Sequence, residues 1–530
     1  MIVQIVLVIV TAVRLNSQEL CPSVCRCYSD NATCTDLFSD VTNMTQHRFN
    51  SGLRVLRVTG RMNLEREEDL FLRWNITSLT HLDLSRNNIT KIWQRAFYSL
   101  IDLQTLYLHD NSITTLDSKT FYNNTRLTRL SLSRNSITDL HPSTFQNNIR
   151  LKVIDIVINK ITSLHADLFK NNEELEKVNL AGNRITDINR LTFRNNRRLN
   201  YVDFSGNNIN SINSETFKQN RDVQYLVLSN NSISDVHHST FRNNNRLRRL
   251  DLSRNKITLI NPGTFIHNWE ITLLSLQGNN ITEISRSSFE GLEQLEDLDL
   301  SNNNIEELNP LLFHNTFTST FRQNCPASKL KRLNLAQNMI RYFNFELYFP
   351  MNSNSNCSNP RFQLEYLNLS SNGLTTLDVA SVKWLNHTLV VTDLRGNPWN
   401  CDCSVLLEVW RGLKHKLTLH CASPILLQGK SWDLIEEFCS LVGGSSIVTT
   451  TLIVTCVLLV CAIGGGLILA KVLKRRRNKQ KTPEYCDVYA PRVSHISVHS
   501  YAEVGAGSSN VTVQFYADVG ERPSYVTVQS

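Results

Sequence analysis

The residues of this 530-residue chain best placed to do chemistry are its thirteen cysteines and a short series of tyrosines near the carboxy end. Cys21, Cys25, Cys27 and Cys34 fall close together near the amino end, and Cys401, Cys403, Cys421 and Cys439 form a second set. Four neighbouring thiols can hold zinc or close two disulfides, and spacing alone leaves three pairings for each set. Tyr485, Tyr501, Tyr516 and Tyr525 each have valine three residues on, in YCDV, YAEV, YADV and YVTV; Tyr489 does not. Phosphate on such a tyrosine adds a double negative charge that an arginine-lined pocket can read, with valine suited to an apolar pocket beside it. Patterns for catalysis are missing: there is no Gly-X-Ser-X-Gly elbow, no phosphate-binding glycine loop and no histidine pair enclosing a glutamate. His237 and His238 are adjacent, so they are expected to diverge on a turn. The expectation is therefore no catalytic residue, no metal, no cofactor and no enzyme.

The ends of the chain say where these residues work. MIVQIVLVIVTAV opens the sequence and reads as a secretory signal over 1–17, the rival being an ordinary buried strand. Residues 447–470 carry no charge, and Lys471, Lys474, Arg475, Arg476, Arg477, Lys479 and Lys481 follow at once. An uncharged run of that length spans a bilayer as a helix, and the basic cluster marks its cytoplasmic side. The expected protein is thus a type I plasma-membrane chain, with its amino end outside and residues 471–530 inside. Gly464–Gly466 lie within the span and suggest close helix packing at most. Ten cysteines fall outside the span and its tail, an even number that suits disulfides in an oxidising compartment and disfavours zinc. Ten Asn-X-Ser/Thr acceptors accompany them: Asn31, Asn43, Asn75, Asn88, Asn123, Asn230, Asn280, Asn356, Asn368 and Asn386.

Charge adds little. The net is +8, but the last sixty residues hold nine Lys/Arg against five Asp/Glu, so half the excess sits in the tail. A nucleic-acid binder spreads a basic face over its folded part, so no nucleic-acid partner is expected.

Between the ends the chain repeats. Asparagine recurs every 24 residues at 87, 111, 135, 159, 183, 207, 231, 255, 279 and 303, and phenylalanine keeps the same period from Phe97 to Phe313. Ten turns in register define a solenoid. In LTHLDLSRN, Leu82 and Leu84 point to one side of a short strand, leaving Asp83 and Ser85 for the other. The asparagine amides, which both donate and accept, are expected to join adjacent turns as a ladder. Phenylalanines should fill the space opposite the leucines. Three more turns carry Asn338, Asn372 and Asn397, where the spacing breaks to 35, 34 and 25. Two insertions, near 319–329 and 354–363, bring Cys325 and Cys357 to equivalent places in adjacent coils. A disulfide Cys325–Cys357 is predicted there, the alternative being two free thiols. The first turn, from Leu53, has Arg61 where asparagine is expected, as suits a terminal coil.

These features resemble the 24-residue leucine-rich repeat of extracellular single-pass receptors with cysteine caps, lacking a Toll-type or kinase domain. The resemblance implies an α/β solenoid: a curved horseshoe with short parallel strands on its concave face. It also implies cap pairings Cys21–Cys27, Cys25–Cys34, Cys401–Cys421 and Cys403–Cys439. Within the second cap, SVLLEVWRGLK sets Leu406, Val409, Trp410 and Leu413 on one helical face suited to covering the last coil. The resulting division is a signal peptide over 1–17, an amino-terminal cap over 18–52, repeats over 53–396 and a carboxy-terminal cap over 397–440. A linker over 441–446, a span over 447–470 and a cytoplasmic tail over 471–530 complete it.

Such proteins usually bind partners on the concave wall. Most wall positions here are polar, among them Asp83, Ser131, Asn179, Asp251, Ser275 and Asp299, but Val153, Val157, Tyr201, Tyr225 and Val227 break the pattern over adjacent coils. An apolar and aromatic cluster on a charged wall is the expected ligand-binding site, unless some of its members lean into the core. Asn368, a glycan acceptor, also faces inward. The superfamily includes innate immune receptors and adhesion proteins. The expected function is a receptor for an extracellular protein, microbial or matrix ligand, signalling through phosphotyrosine-binding adaptors or phosphatases. The alternative is a cell-adhesion protein whose tail tyrosines engage an endocytic adaptor, since tyrosine with an apolar residue at plus three serves there too. Pro483, His499, Gln514 and Pro523 two residues before the tyrosines depart from the inhibitory receptor motif.

Overall fold

The computed structural model describes residues 21–35, 49–309, 312–313, 328–349, 364–401, 419–423 and 428–431, apart from positions 23, 61, 63, 66–68 and 389. The chain divides into units 1–446 and 447–530, and the second lies wholly outside the described residues.

From the second coil on, each coil begins with a strand of three residues, too short to be stable except against its neighbours. Sixteen strands, two of them five residues long, join in strict chain order. β1 (Cys25–Cys27) and β2 (Asn31–Thr35) pair antiparallel, and every later neighbour is parallel. From β4 (His81–Asp83) to β13 (Asp297–Asp299) the pairing advances 24 residues per strand without a slip. β14 (Arg332–Asn334), β15 (Tyr366–Asn368) and β16 (Val391–Asp393) continue the same sheet across the three irregular spacings.

Alternation along each strand decides what is buried. Leu82 and Leu84 are inside, as are their counterparts at Leu106 and Leu108 and at Leu130 and Leu132. The asparagine column forms the ladder that the period predicts. Asn111 donates through Nδ2 to the Leu84 carbonyl of the preceding coil at 2.9 Å, and its Oδ1 accepts from Ile89 N at 2.9 Å. The ladder does not stop where the spacing breaks: Asn338 donates to the Leu300 carbonyl and Asn372 to that of Leu335. The residue before each rung takes a left-handed backbone, with φ between 53° and 67° at Arg86, Asp110, Arg134, Gly182, Gly206, Arg254 and Gly278.

On the far side of the coil the phenylalanines stack. Rings of Phe145, Phe169, Phe193 and Phe217 lie 5.8–6.1 Å apart, with planes within 14° of parallel. Neighbouring strands are only about 4.8 Å apart. Coils spaced more widely on the phenylalanine side curve the solenoid, with the sheet on its inner wall. Where the spacing breaks, a cluster of Phe343, Phe345, Phe349 and Trp384 takes over, and the Trp384 indole donates to the Phe349 carbonyl.

Disulfides close both ends. Cys21 is joined to Cys27 and Cys25 to Cys34, beside β1 and β2, and Cys401 is joined to Cys421 next to β17 (Trp399–Asn400) and β18 (Cys421–Ser423). Cys325, Cys357, Cys403 and Cys439 lie outside the described residues, as do Arg61, the segment around Trp410, the apolar run 447–470 and all the tail tyrosines. Among the described residues no helix is long and apolar enough to cross a membrane. The longest is Val379–His387, whose amino end is capped by the Asp378 carboxylate through Ser381 N.

Candidate ligand-binding wall

The inner wall is built from the two outward-facing residues of each strand and the turn that follows. Its polar members are less exposed than alternation suggests: Ser85 and Ser131 are buried, and the Ser85 hydroxyl donates to Asp83 Oδ1 at 2.7 Å. A serine is short enough to fold back on its neighbour, so it lines the wall without projecting from it.

The five residues read from the sequence fall on or beside β7 (Val153–Asp155), β9 (Tyr201–Asp203) and β10 (Tyr225–Val227). None of the five is buried, and Tyr225 is 41% exposed. Register places Val153, Lys177, Tyr201, Tyr225 and Arg249 side by side across five strands. Lys177, on β8 (Lys177–Asn179), therefore sits between the valine and the tyrosines, with its ammonium 4.7 Å from the Tyr201 ring centre. The Tyr201 hydroxyl donates to Asp203 Oδ2 at 3.1 Å, and its ring lies 6.3 Å from that of Tyr225. Burial and the Asp203 carboxylate push the Tyr201 phenol up to about 12, so it stays a neutral donor. Burial also raises the Asp155 carboxyl, against the opposing pull of Lys177 and Arg129. The patch is thus a cation, two phenols with rings tilted 35° to each other, and flanking carboxylates held in register. Such a surface suits polar and aromatic side chains of a protein partner.

Val157 stands just beyond β7, and its neighbour completes a feature that sequence reasoning missed. Ile158 occupies the left-handed position before its rung, with φ 54°, and is 51% exposed. A β-branched residue is strained there. The next two coils place Gly182 and Gly206 at the same position, and a Cβ on Gly182 would meet Ile158 Cγ1 at 3.1 Å. The isoleucine therefore packs against Gly182, beside Val157 at the edge of the candidate patch. The signal is in the sequence: VINKI puts an isoleucine where three other coils read SRNxI and the rest carry a glycine, asparagine, aspartate, glutamine or serine.

The expected divergence of His237 and His238 does not occur. Their rings lie 4.1 Å apart, because His237 Nδ1 turns back to meet Ser239 Oγ at 2.7 Å. Among the described residues no His, Cys, Asp or Glu group could hold a metal ion. Of the glycan acceptors, Asn75, Asn88, Asn230 and Asn280 are exposed, and Asn31, Asn123, Asn368 and Asn386 are partly so. Asn368 lies on the inner wall in β15, its Oδ1 accepting from Ser370 N. Asn43 and Asn356 are outside the described residues.

Comparison with known proteins agrees with this geometry. The BspA-type leucine-rich-repeat profile matches residues 70–200 in six copies. A second leucine-rich-repeat profile matches 173–233, 221–281 and 269–316, and a third matches 363–385. The chain belongs to the leucine-rich-repeat superfamily, and its solenoid carries disulfides near both ends. Nephrocan of Mus musculus is 43% identical over 74 residues, a match spanning 13% of this chain and 14% of nephrocan. A leucine-rich-repeat protein of Leptospira interrogans superposes with a TM-score of 0.56 at 20% identity, covering 74% of this chain and 89% of that one. The LRIM1/APL1C complex gives 0.55 at 19%, with 85% and 79% covered. The Drosophila Toll–Spatzle complex gives 0.53 at 19%, with 76% and 70% covered. At these identities the three share the fold.

Proposed function

We propose that this chain is a single-pass cell-surface receptor that binds a protein ligand on its inner wall and signals through Tyr485, Tyr501, Tyr516 and Tyr525. The observation that carries the ligand site is the in-register run from Val153 to Arg249, with Lys177 over Tyr201. Two proteins of similar fold were solved in complexes, Toll with Spatzle and LRIM1 with APL1C, which supports a protein as the kind of ligand. The uncharged run 447–470 and the basic residues after it support the membrane placement. The spacing of tyrosine and valine supports phosphotyrosine docking.

The ligand site is tested by changing Tyr201 and Tyr225 to Ser together. Removing two neighbouring aromatic anchors is expected to weaken ligand binding by about 2–4 kcal/mol with surface display unchanged; undiminished binding would refute the site. Signalling is tested by treating cells with a broad tyrosine-phosphatase inhibitor and identifying adaptors that bind the tail. Tail phosphate with a bound adaptor or phosphatase supports signalling. Without phosphate, and with internalisation slowed by tyrosine substitution, the adhesion protein with an endocytic tail replaces it.

A further inference from the structure

The nearly balanced charge of the repeats conceals a local excess on the outer turns. The residue after each core phenylalanine forms a column up the outside of the solenoid. Its first members, Leu72, Tyr98 and Tyr122, are exposed and apolar or aromatic. After Gln146 it turns basic over four successive coils, with Lys170, Lys218 and Arg242 exposed and Arg194 partly so. Phenylalanine rings there are 5.8 Å and 6.1 Å apart, so the cations advance by about 6 Å per coil. Arg197, Arg198 and Arg221, a few residues further along the same turns, are exposed too. Between 190 and 249 ten Lys/Arg stand against four Asp/Glu.

Carboxylates neutralise only part of this stripe. Asp167 holds Arg194 at 2.6 Å and Glu215 holds Lys218 at 2.8 Å. Glu173 and Glu174 lie one coil before Arg197 and Arg198, but no ion pair joins them. Lys170 shares the field of Asp167 without an ion pair, and among the described residues none of Arg197, Arg198, Arg221 and Arg242 is ion-paired to a carboxylate. The turns that carry them are held before anything binds. Asn195 donates to the Lys170 carbonyl at 2.8 Å and Asn243 to that of Lys218 at 3.2 Å. Beneath them, buried Asn196 and Asn244 donate to the carbonyls of Phe169 and Phe217. A fixed row of charges loses little backbone freedom on binding.

We propose that this column docks a linear sulfated polysaccharide. Cations repeated at an even step along one edge match a polymer whose anions also repeat along its length, and guanidinium forks suit sulfate oxygens. A globular acidic protein would instead need its charges matched over an area. Disulfide-bearing chains belong to oxidising compartments, where sulfated polysaccharides are the polyanions at hand. No glycan acceptor occurs between 124 and 229, so the stripe is open along most of its length. It lies on the outside of the coils, away from the inner wall, and stands or falls separately from the ligand site there.

The test uses the full-length chain, purified from secretory cells, on immobilised heparin under a rising salt gradient. Arg197→Gln, Arg198→Gln, Arg221→Gln and Arg242→Gln together are expected to lower the affinity at least tenfold and bring elution to lower salt. Changing four inner-wall arginines to Gln, at 57, 129, 249 and 332, removes the same charge and should leave elution near the parent. The four outer arginines changed to Lys should retain most of the binding, which separates lost charge from lost folding. Free heparin should displace the chain at concentrations at least tenfold below those of duplex DNA or polyglutamate. Unchanged elution of the outer variant, an equal shift in the inner one, or displacement by DNA or polyglutamate as effective as by heparin would each overturn the proposal.

Discussion

A branched side chain in a left-handed turn needs a reason, and Ile158 has one only if something touches it. Its coil partners at that position include four glycines, Gly182, Gly206, Gly278 and Gly396, for which the same backbone is unstrained. Ile158→Gly should therefore stabilise the protein by about 1 kcal/mol in thermal or denaturant unfolding. The same change should weaken ligand binding, because it strips the edge of the tyrosine patch; a stabilised variant with full affinity would make the strain incidental. Asp155 offers a second residue-scale measurement. Its folded carboxyl value lies above the unfolded one, so ionising it opposes folding above that value and has no effect below the unfolded value. Asp155→Asn is expected to raise the melting temperature at neutral pH, with the gain vanishing near about pH 3. An equal gain at both would show that desolvation of the charge is not the cause. Val153, Tyr201 and Tyr225 were legible in the sequence because strand alternation alone decides that they face outward. Lys177 was not, since a lysine on a solvent face is ordinary until a ring is found 4.7 Å from its ammonium.

At the scale of the coil, two asparagine columns do different work. The strand-side column was read directly from its 24-residue period. A second column with the same period, at Asn124, Asn148, Asn172, Asn196, Asn220, Asn244 and Asn268, does not stand out in the sequence because its members follow phenylalanine in a polar outer turn. Composition marks such residues as solvent-facing, yet all seven are at most 1% exposed. Asn172 donates to the carbonyls of Phe145 at 3.0 Å and Asn148 at 2.9 Å. Removing it leaves two buried carbonyls without that donor, so Asn172→Ala should cost about 2–4 kcal/mol in denaturant unfolding. Asn171→Ala, whose bond to the Gln146 carbonyl is exposed, should cost under about 1 kcal/mol. Similar losses at both positions would mean that burial does not set the value of these bonds. Periodicity identifies which residues repeat; only packing separates the buried asparagine of each turn from the polar residue before it, which is itself asparagine in five of the seven.

For the solenoid as a whole, each coil touches only the next, and stability is close to a sum over coils and their interfaces. The ends then depend on their closures, and disulfides stand at both: Cys21–Cys27 and Cys25–Cys34 before the first coil, Cys401–Cys421 after the last. Reduction under native conditions should increase amide hydrogen exchange first in β2, β3 (Val55–Thr59) and β16, while β8 to β10 stay protected. Uniform acceleration along the whole sheet would instead mark a single cooperative unit. The even register has a further consequence, for inheritance. If two copies of the coding sequence misalign by one period during recombination, leucine still meets leucine and asparagine still meets asparagine, and the product gains or loses one intact coil. A misalignment by anything other than a whole number of periods puts a turn residue into the core. The central repeat is therefore a part of the chain that can lengthen or shorten over generations in steps of 24 residues, with selection acting on what the walls bind while the fold survives each step.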